Sequence, residues 1–353
     1  MCAPRLTLLS SLLLVATACA APTALPANVH STPPPAQAAI PLGGAVVLPR
    51  DHVLARRAPG DLRVVSYNIW HDSIFQAGSD RQQRFVRVAR ALDADVWALQ
   101  EVHARPEDAE RLFDRLLPLP AGRHWHARYA ATCLTVSRYP ILSHRYRTPH
   151  AAKMVGLSLV DLPDDRYRRD LYVVHAGFTC CGGPANDPVR QREADQVAAW
   201  LRDVKVPGQP WTLAAGTPIV VAGDLNIIAS RAPVRTLVEG DIHDEATFGP
   251  DAAPDWDGTA LADPEPRHLA RGSETWTWRS DGSGFPPGRL DYVLFSDSVL
   301  QAVHAFVLDT VALTVDERRD AGLRDTDVVL GPGRLGEGYR WDHLPVVVDF
   351  RER

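Results

Sequence analysis

Short apolar runs alternate with amphipathic segments along most of the chain. Arg63–Asn68 has a β-branched centre, Val64 and Val65, and predicts a strand. Gln82–Leu92 sets Phe85, Val88, Ala89 and Leu92 at helical spacing, and Glu107–Leu117 does the same with Leu112, Phe113, Leu116 and Leu117. Between them, Asp95–Gln100 is a short apolar run, the mark of a buried strand. Leu134–Ser137, Val155–Val160 and Leu171–His175 predict further strands, with Pro163-Asp164-Asp165 as the turn between the last two. Asp187 before Pro188 predicts an N-cap and a helix to about Arg202, with Val197 and Leu201 on one face. Ile219–Ala222, Tyr292–Phe295, Val303–Leu308 and Val346–Phe350 complete the strands. The alternation predicts an α/β fold of two packed sheets flanked by helices, in one domain over 61–353. Two stretches, 241–274 and 310–340, carry no clear period and read as long loops.

The N-terminus has a different pattern. Arg5 precedes the apolar run Leu6–Ala16, the size of a signal-peptide core and too short to span a bilayer. Ala16-Thr17-Ala18 and then Cys19 follow, so 1–19 is expected to be a signal peptide. Two endings stay open: cleavage after the small residues, or lipidation of Cys19 as the first residue of a lipoprotein. Residues 20–60, rich in Ala and Pro, are expected to be a tether. These features predict an exported protein, a cell-envelope lipoprotein or a secreted or periplasmic one, touching a membrane only through an anchor at Cys19.

Composition narrows the partners. Residues 1–60 carry four Arg and one Asp, so 34 of the 38 basic and 42 of the 43 acidic residues lie in 61–353, a balance of −8. Such a body does not hold nucleic acid tightly by bulk charge, though an enzyme with a cation between itself and a phosphodiester remains open. Export also bears on the cysteines. Cys133 could bridge Cys180 or Cys181, the adjacent pair could bond to each other, or Cys180, Cys181 and His175 could hold zinc, although adjacent cysteines lack the usual ligand spacing.

Polar residues at strand ends carry the candidate chemistry. Asn68, Glu101, His175, Asp224 with Asn226, Asp291, and Asp342 with His343 each border an apolar run. One such residue is usually a cap or turn former; this many, of this chemical kind, on so many strands are hard to explain by capping. Glu101, Asp342 and the amide oxygen of Asn68 are hard donors suited to Mg²⁺. His343 and His175 can exchange protons near neutral pH, and Asp291 can orient His343. Asn226 can donate a hydrogen bond to a phosphoryl oxygen or to an attacking water.

Tyr-Asn-Ile (67–69), Gln-Glu-Val (100–102), Gly-Asp-Leu-Asn (223–226), Arg-Leu-Asp-Tyr-Val-Leu (289–294) and Asp-His-Leu-Pro-Val (342–346), in this order, resemble the endonuclease/exonuclease/phosphatase superfamily over about 62–351. The resemblance implies a four-layered α/β sandwich, two packed mixed β-sheets flanked by helices, with the site at one end. It implies Glu101 as principal metal ligand, aided by Asn68 and Asp342. By the same resemblance Asp224 and Asn226 position or activate water and contact the phosphate, while Asp291 and His343 are orienting carboxylate and base. His175 falls where the family has Tyr or His, and the His form resembles the deoxyribonuclease I and sphingomyelinase branches. Mg²⁺ is the implied cofactor, with Mn²⁺ or Ca²⁺ as substitutes. Departures are the segment Gly-Phe-Thr-Cys-Cys-Gly-Gly (177–183) after His175, Trp341 where many members have Ser, and the lack of a clear acidic partner for His175.

The expectation is an exported, monomeric, metal-dependent phosphodiester hydrolase acting on nucleic acid or phospholipid, a nuclease first. Alternatives are a sphingomyelinase-type phospholipase C, an inositol-phosphate phosphatase, or an inactive binding protein on the same scaffold. His71, Asp72 and His103 read as rim residues, Trp276 and Trp278 as a packing pair, Trp256 and Phe285 as candidate loop aromatics, and Arg190 and Arg192 as candidate phosphate contacts. The Asp-rich 241–265 lacks the Asp-x-Asp-x-Asp-Gly pattern of a calcium loop and reads as a plain loop.

Overall fold

Strand side chains alternate between two faces, and that alternation sorts this chain into layers. The structure is a computed structural model and describes residues 44–353 apart from 72–73, 121, 148–154, 183–184, 282 and 329–341. The expected leader 1–19, the first part of the expected tether, Asp72 and Trp341 lie outside the described residues.

The elements in chain order are β1 (Leu62–Asn68), α1 (Asp80–Leu92), β2 (Val96–Gln100), α2 (Pro106–Leu116), β3 (His126–Ala130), β4 (Cys133–Ser137), β5 (Ile141–Arg147), β6 (Val155–Val160), β7 (Leu171–Gly177), α3 (Asp187–Asp203), β8 (Ile219–Asp224), α4 (Ala232–Glu239), α5 (Glu245–Phe248), β9 (Arg267–His268), β10 (Asp291–Phe295), β11 (Leu300–Val307), α6 (Val315–Ala321) and β12 (Val346–Glu352). One sheet runs β3-β4-β2-β1-β12-β11-β9 and the other β10-β8-β7-β6-β5. Pairs β1–β2, β7–β8 and β9–β11 are parallel and the others antiparallel, so both sheets are mixed.

The period-2 pattern explains the packing. In the second sheet Leu171, Val173, Val220, Ala222, Val293 and Phe295 join the core shared with the first sheet. Their neighbours Tyr172, Val174, Ile219, Val221, Tyr292 and Leu294 pack with Ala194, Val197 and Leu201 of α3 and Leu237 of α4. On the far side, Trp97 of β2 meets Phe85 of α1 and Phe113 of α2 through tilted and edge-on rings. This is the expected α/β sandwich of two mixed sheets flanked by helices.

The same parity sets up the site. Asp224, Asp291 and His175 share the strand parity of the inward core residues, as Asn68 and Gln100 do in the first sheet. Register places Asn68 beside Gln100, and Asp224 beside both Gly177 and Asp291. The ends of both sheets therefore deliver polar side chains to one rim.

Several expectations are corrected. Residues 44–60 are not wholly a tether: Leu54 is buried in the core, and Arg56 donates to Asp95 Oδ2 at 2.6 Å and to the carbonyl of Asp61. A few apolar and arginine side chains anchor this segment despite its Ala/Pro composition. The loop reading of 310–340 misses α6, whose Thr314 and Glu317 form a capping box. The loop reading of 241–274 misses α5 and β9. Asp187 is the first helical residue of α3 rather than its cap; Asn186 precedes it, its side-chain amide engaged with the carbonyls of Cys180 and Cys181.

Candidate active site

Strand ends and tight turns build the rim. Gly223 holds φ +151°, and a Cβ there would lie 1.7 Å from the Ala176 carbonyl oxygen. Only glycine lets β8 approach β7 this closely just before Asp224. Glu101 and Asn226 hold left-handed backbone, φ +59° and +50°, which turns each side chain at the end of its strand.

Asp224, Asp291 and His343 meet. His343 Nδ1 lies 2.8 Å from Asp291 Oδ2, and His343 Nε2 lies 3.8 Å from Asp224 Oδ2. All three are buried. Thr277 fixes Asp291: its Oγ1 accepts from the Leu290 and Asp291 amides, each at 2.9 Å. Thr277 also holds the histidine loop, because its carbonyl accepts from Leu344 N at 2.7 Å. Trp278 Nε1 donates to Asp342 Oδ2 at 2.8 Å. Sequence patterning misses Thr277 and assigns Trp278 to packing. Trp276 instead packs edge-on against His268.

Electrostatics assigns protonation states. Burial alone would lower the His343 imidazole, but Asp291 and Asp224 overcome it and push it up to about 10. Burial lifts the Asp224 carboxyl well above the ordinary carboxylate range; His343 opposes this, and Asp291 adds to it. The two aspartates therefore favour the charged form of His343. A charged imidazole donates a proton or a hydrogen bond, and a carboxylate such as Asp224 can accept one.

Glu101 and Asp342 line the same pocket as Asp224, Asn226 and His343. Burial raises the Asp342 carboxyl, and the Glu101 charge raises it further while His343 opposes. Two hard-oxygen donors that repel across an open pocket fit a divalent cation. The ligand atoms of Asp224, Asp291 and His343 also lie within 4.8 Å of one another. That trio fits a metal less well, since the imidazolium already balances carboxylate charge and its Nδ1 is committed to Asp291. Asn68 stands between the carboxylates. Its Nδ2 bridges Glu101 Oε1 and Asp224 Oδ2, each at 3.1 Å, while its Oδ1 accepts from Trp70 N. Asn68 thus ties the candidate metal carboxylate to the candidate base. Asn226 takes an amide contact to Asp224 Oδ1 at 3.0 Å and donates to the Phe178 carbonyl at 3.1 Å, which fixes it at the rim.

His175 does not join them. It is fully buried, with its ring nitrogens 2.8 Å from Gln100 Nε2 and 3.2 Å from Thr135 Oγ1. Because β7 runs on to Gly177, His175 sits two residues below the rim, about 7 Å down the strand. Burial drives its imidazole down to about 3, so it stays neutral. It supports the floor beneath Glu101, and the zinc expectation with exposed Cys180 and Cys181 is corrected by the same burial. Arg190 is also buried, donating to the carbonyls of Thr179 and Cys181 and to Asp187, so it braces a loop instead of meeting a phosphate. Trp256 donates to the Thr217 carbonyl and packs with the outer core, whereas Phe285 is exposed and lines the pocket. His71 Nε2 stands 3.6 Å from Glu101 Oε2, at the rim.

The endonuclease/exonuclease/phosphatase family matches residues 65–313, well over half of the chain. No curated protein sequence matches it. Among solved structures, the human nocturnin catalytic domain with bound sulfate shares 16% identity over 84% of this chain and 96% of that one, with TM-score 0.51. ANGEL2, a 2′,3′-cyclic phosphatase, shares 17% identity over 82% and 95%, with TM-score 0.54. The endonuclease/exonuclease/phosphatase from Bacteroides vulgatus shares 14% over 83% and 99%, with TM-score 0.51. At these identities the likeness is one of fold. The family match ends before Asp342 and His343, which the fold itself returns to the rim beside Glu101 and Asp224. By that match and this fold, the chain belongs to the endonuclease/exonuclease/phosphatase family.

Proposed function

We propose that this chain is an exported, divalent-metal-dependent phosphodiester hydrolase. The supporting observation is one pocket that sets the Glu101–Asp342 carboxylates against the Asp224–His343–Asp291 cluster. Glu101 and Asp342 would hold Mg²⁺, with Mn²⁺ or Ca²⁺ as substitutes; when bound, the cation stabilises negative charge on a phosphoryl oxygen. Asp224 accepts the proton of the attacking water. The 3.8 Å gap between Asp224 Oδ2 and His343 Nε2 is too long for a direct hydrogen bond and admits an oxygen about 2.8 Å from each. His343 donates from Nε2 to phosphoryl oxygen, its charge maintained by Asp291. Asn226 supplies a further amide donor at the rim. Export rests on the leader pattern of 1–19.

One observation moves the substrate away from nucleic acid, the first expectation. Among the described residues lining the pocket there is no Lys or Arg, and Ile227, Ile228, Phe285, Pro286, Pro287 and Leu290 form its wall. A polyanion gains little there, whereas a single phosphodiester bearing an apolar group gains both a phosphate site and apolar contact. The phospholipase C-type reading therefore stands ahead of the nuclease. The test is a panel of plasmid DNA, RNA, sphingomyelin and phosphatidylcholine micelles, and inositol phosphates, each with Mg²⁺, Ca²⁺ or chelator. Metal-dependent turnover of a micellar phosphodiester above DNA and RNA supports this order. Preferential cleavage of nucleic acid reverses it, and no turnover on any substrate favours the inactive binding scaffold.

A further inference from the structure

The pocket wall contains a second kind of chemistry that phosphoester hydrolysis does not use. Cys180 and Cys181 are adjacent, exposed, and both line the pocket. Their Sγ atoms lie 2.6 Å apart. The backbone carrying them is braced from behind. Asn186 Nδ2 donates to both cysteine carbonyls at 3.2 Å, and buried Arg190 donates to the carbonyls of Thr179 and Cys181. Buried Glu193 holds Thr179 through its amide and its hydroxyl, each at 2.8 Å. Cys181 is held at φ +76°, and the Phe285 ring packs so closely on Gly182 that a Cβ there would meet it at 3.1 Å. The carbonyls are engaged by Asn186 and by Arg190 of α3, while both cysteines line the pocket.

We propose that Cys180–Cys181 is a thiol–disulfide modification site on the wall of the reaction pocket. A small disulfide such as oxidised glutathione is the oxidant. One cysteine thiolate attacks a sulfur of that disulfide, forming a mixed disulfide and releasing one thiol. The neighbouring thiolate attacks the protein sulfur of the mixed disulfide, forming the Cys180–Cys181 bond and releasing the second thiol. Two electrons pass from the cysteine pair to the small disulfide, and the two cysteine protons end on the released thiols. Adjacent Cα atoms are about 3.8 Å apart, closer than the usual 4.4–6.8 Å of a disulfide, so the closed form is readily reduced and the site reversible. Closure replaces two thiols with a rigid ring beside Phe285. The effect on substrate rests on the hydrolase reading above; the modification itself does not.

The experiment treats the full-length chain with oxidised glutathione or with reductant, alkylates it under denaturing conditions, and maps the cysteines by mass spectrometry. The expected result is alkylation at neither Cys180 nor Cys181 after oxidation, with the peptide holding both lighter by two hydrogens, and alkylation at both after reduction. Phenylarsine oxide, a probe for paired thiols, should bind the reduced protein one to one and fail to bind C180S or C181S. Unchanged alkylation after oxidation, a persistent glutathione adduct, or a bridge to Cys133 would overturn the proposal. None of these readouts needs catalytic activity, so failure here is distinct from failure of the hydrolase reading. Where turnover is measurable, oxidation should change KM more than kcat, and the C180S/C181S double variant should lose that redox response.

Discussion

Replacing Asp291 with Asn removes a charge and keeps a similar shape, so it isolates what Asp291 does for His343. The pair is buried, with Oδ2 and Nδ1 2.8 Å apart, and the second carboxylate oxygen of Asp291 has no hydrogen-bond partner among the described residues. A hydrogen bond to a charged group contributes about 1.5–3 kcal/mol. At about 1.4 kcal/mol per unit, losing it lowers the His343 transition by about one to two pH units. In the wild type that transition sits at about 10, raised by Asp291 and Asp224 against burial. The sign follows from the raised value: the stabilisation is fully present below the ordinary histidine range and is lost as pH rises through about 10. The assay is an NMR titration of the His343 ring in metal-free protein, paired with the pH–rate profile. The variant's alkaline limb should move down by the same amount, and because the ring then still stays protonated at neutral pH, turnover should fall more on the alkaline side than at neutral pH. An unmoved His343 transition in a folded variant would refute the pairing.

Other consequences concern positions around the rim. Gly223→Ala should lower the melting temperature sharply, because its Cβ would sit 1.7 Å from the Ala176 carbonyl oxygen and φ +151° disfavours any side chain; a thermal melt within error of the wild type would contradict this. His175→Gln should cost about 1–3 kcal/mol in denaturant unfolding while kcat/KM falls less than tenfold, since His175 lies below the site. The same residue predicts acid sensitivity. Its folded value is depressed to about 3, so wild-type stability falls by up to about 1.4 kcal/mol per unit as pH drops from the ordinary histidine value toward 3, and the variant's curve should be flatter there.

Much of this fold is legible in local pattern. Continuous apolar runs such as Ile219–Ala222 and Tyr292–Phe295 correspond to β8 and β10, and helical spacing at Phe85, Val88 and Leu92 corresponds to α1. Residues at strand ends, Asn68 and Asp224 closing β1 and β8 and Asp291 opening β10, are found at the rim because strand ends are visible where apolar runs start or stop. His175 is misplaced for the same reason: Ala176 and Gly177 continue β7 without the β-branched residues that make a strand conspicuous. Thr277 and Trp278 leave no such signal. Trp278 acts on Asp342, 64 residues away, through a contact that only the folded sheet ends create. The capping box of Thr314 and Glu317 was readable, but a charged, aperiodic neighbourhood obscured it. Protonation depends on burial too. Sequence gives a histidine no charge state, whereas in the fold Asp224 and Asp291 enclose His343 away from water and favour its charged form.

In the proposed function, Glu101 makes hydrolysis in this pocket metal-dependent. The most direct measurement is hydrolysis of bis(p-nitrophenyl) phosphate by wild type and Glu101→Gln across a Mg²⁺ titration, with thermal melts of both. Metal-dependent turnover is expected in wild type, abolished by chelator, with its loss in a variant that still folds. Turnover that persists unchanged in Glu101→Gln, or in chelator, would contradict it.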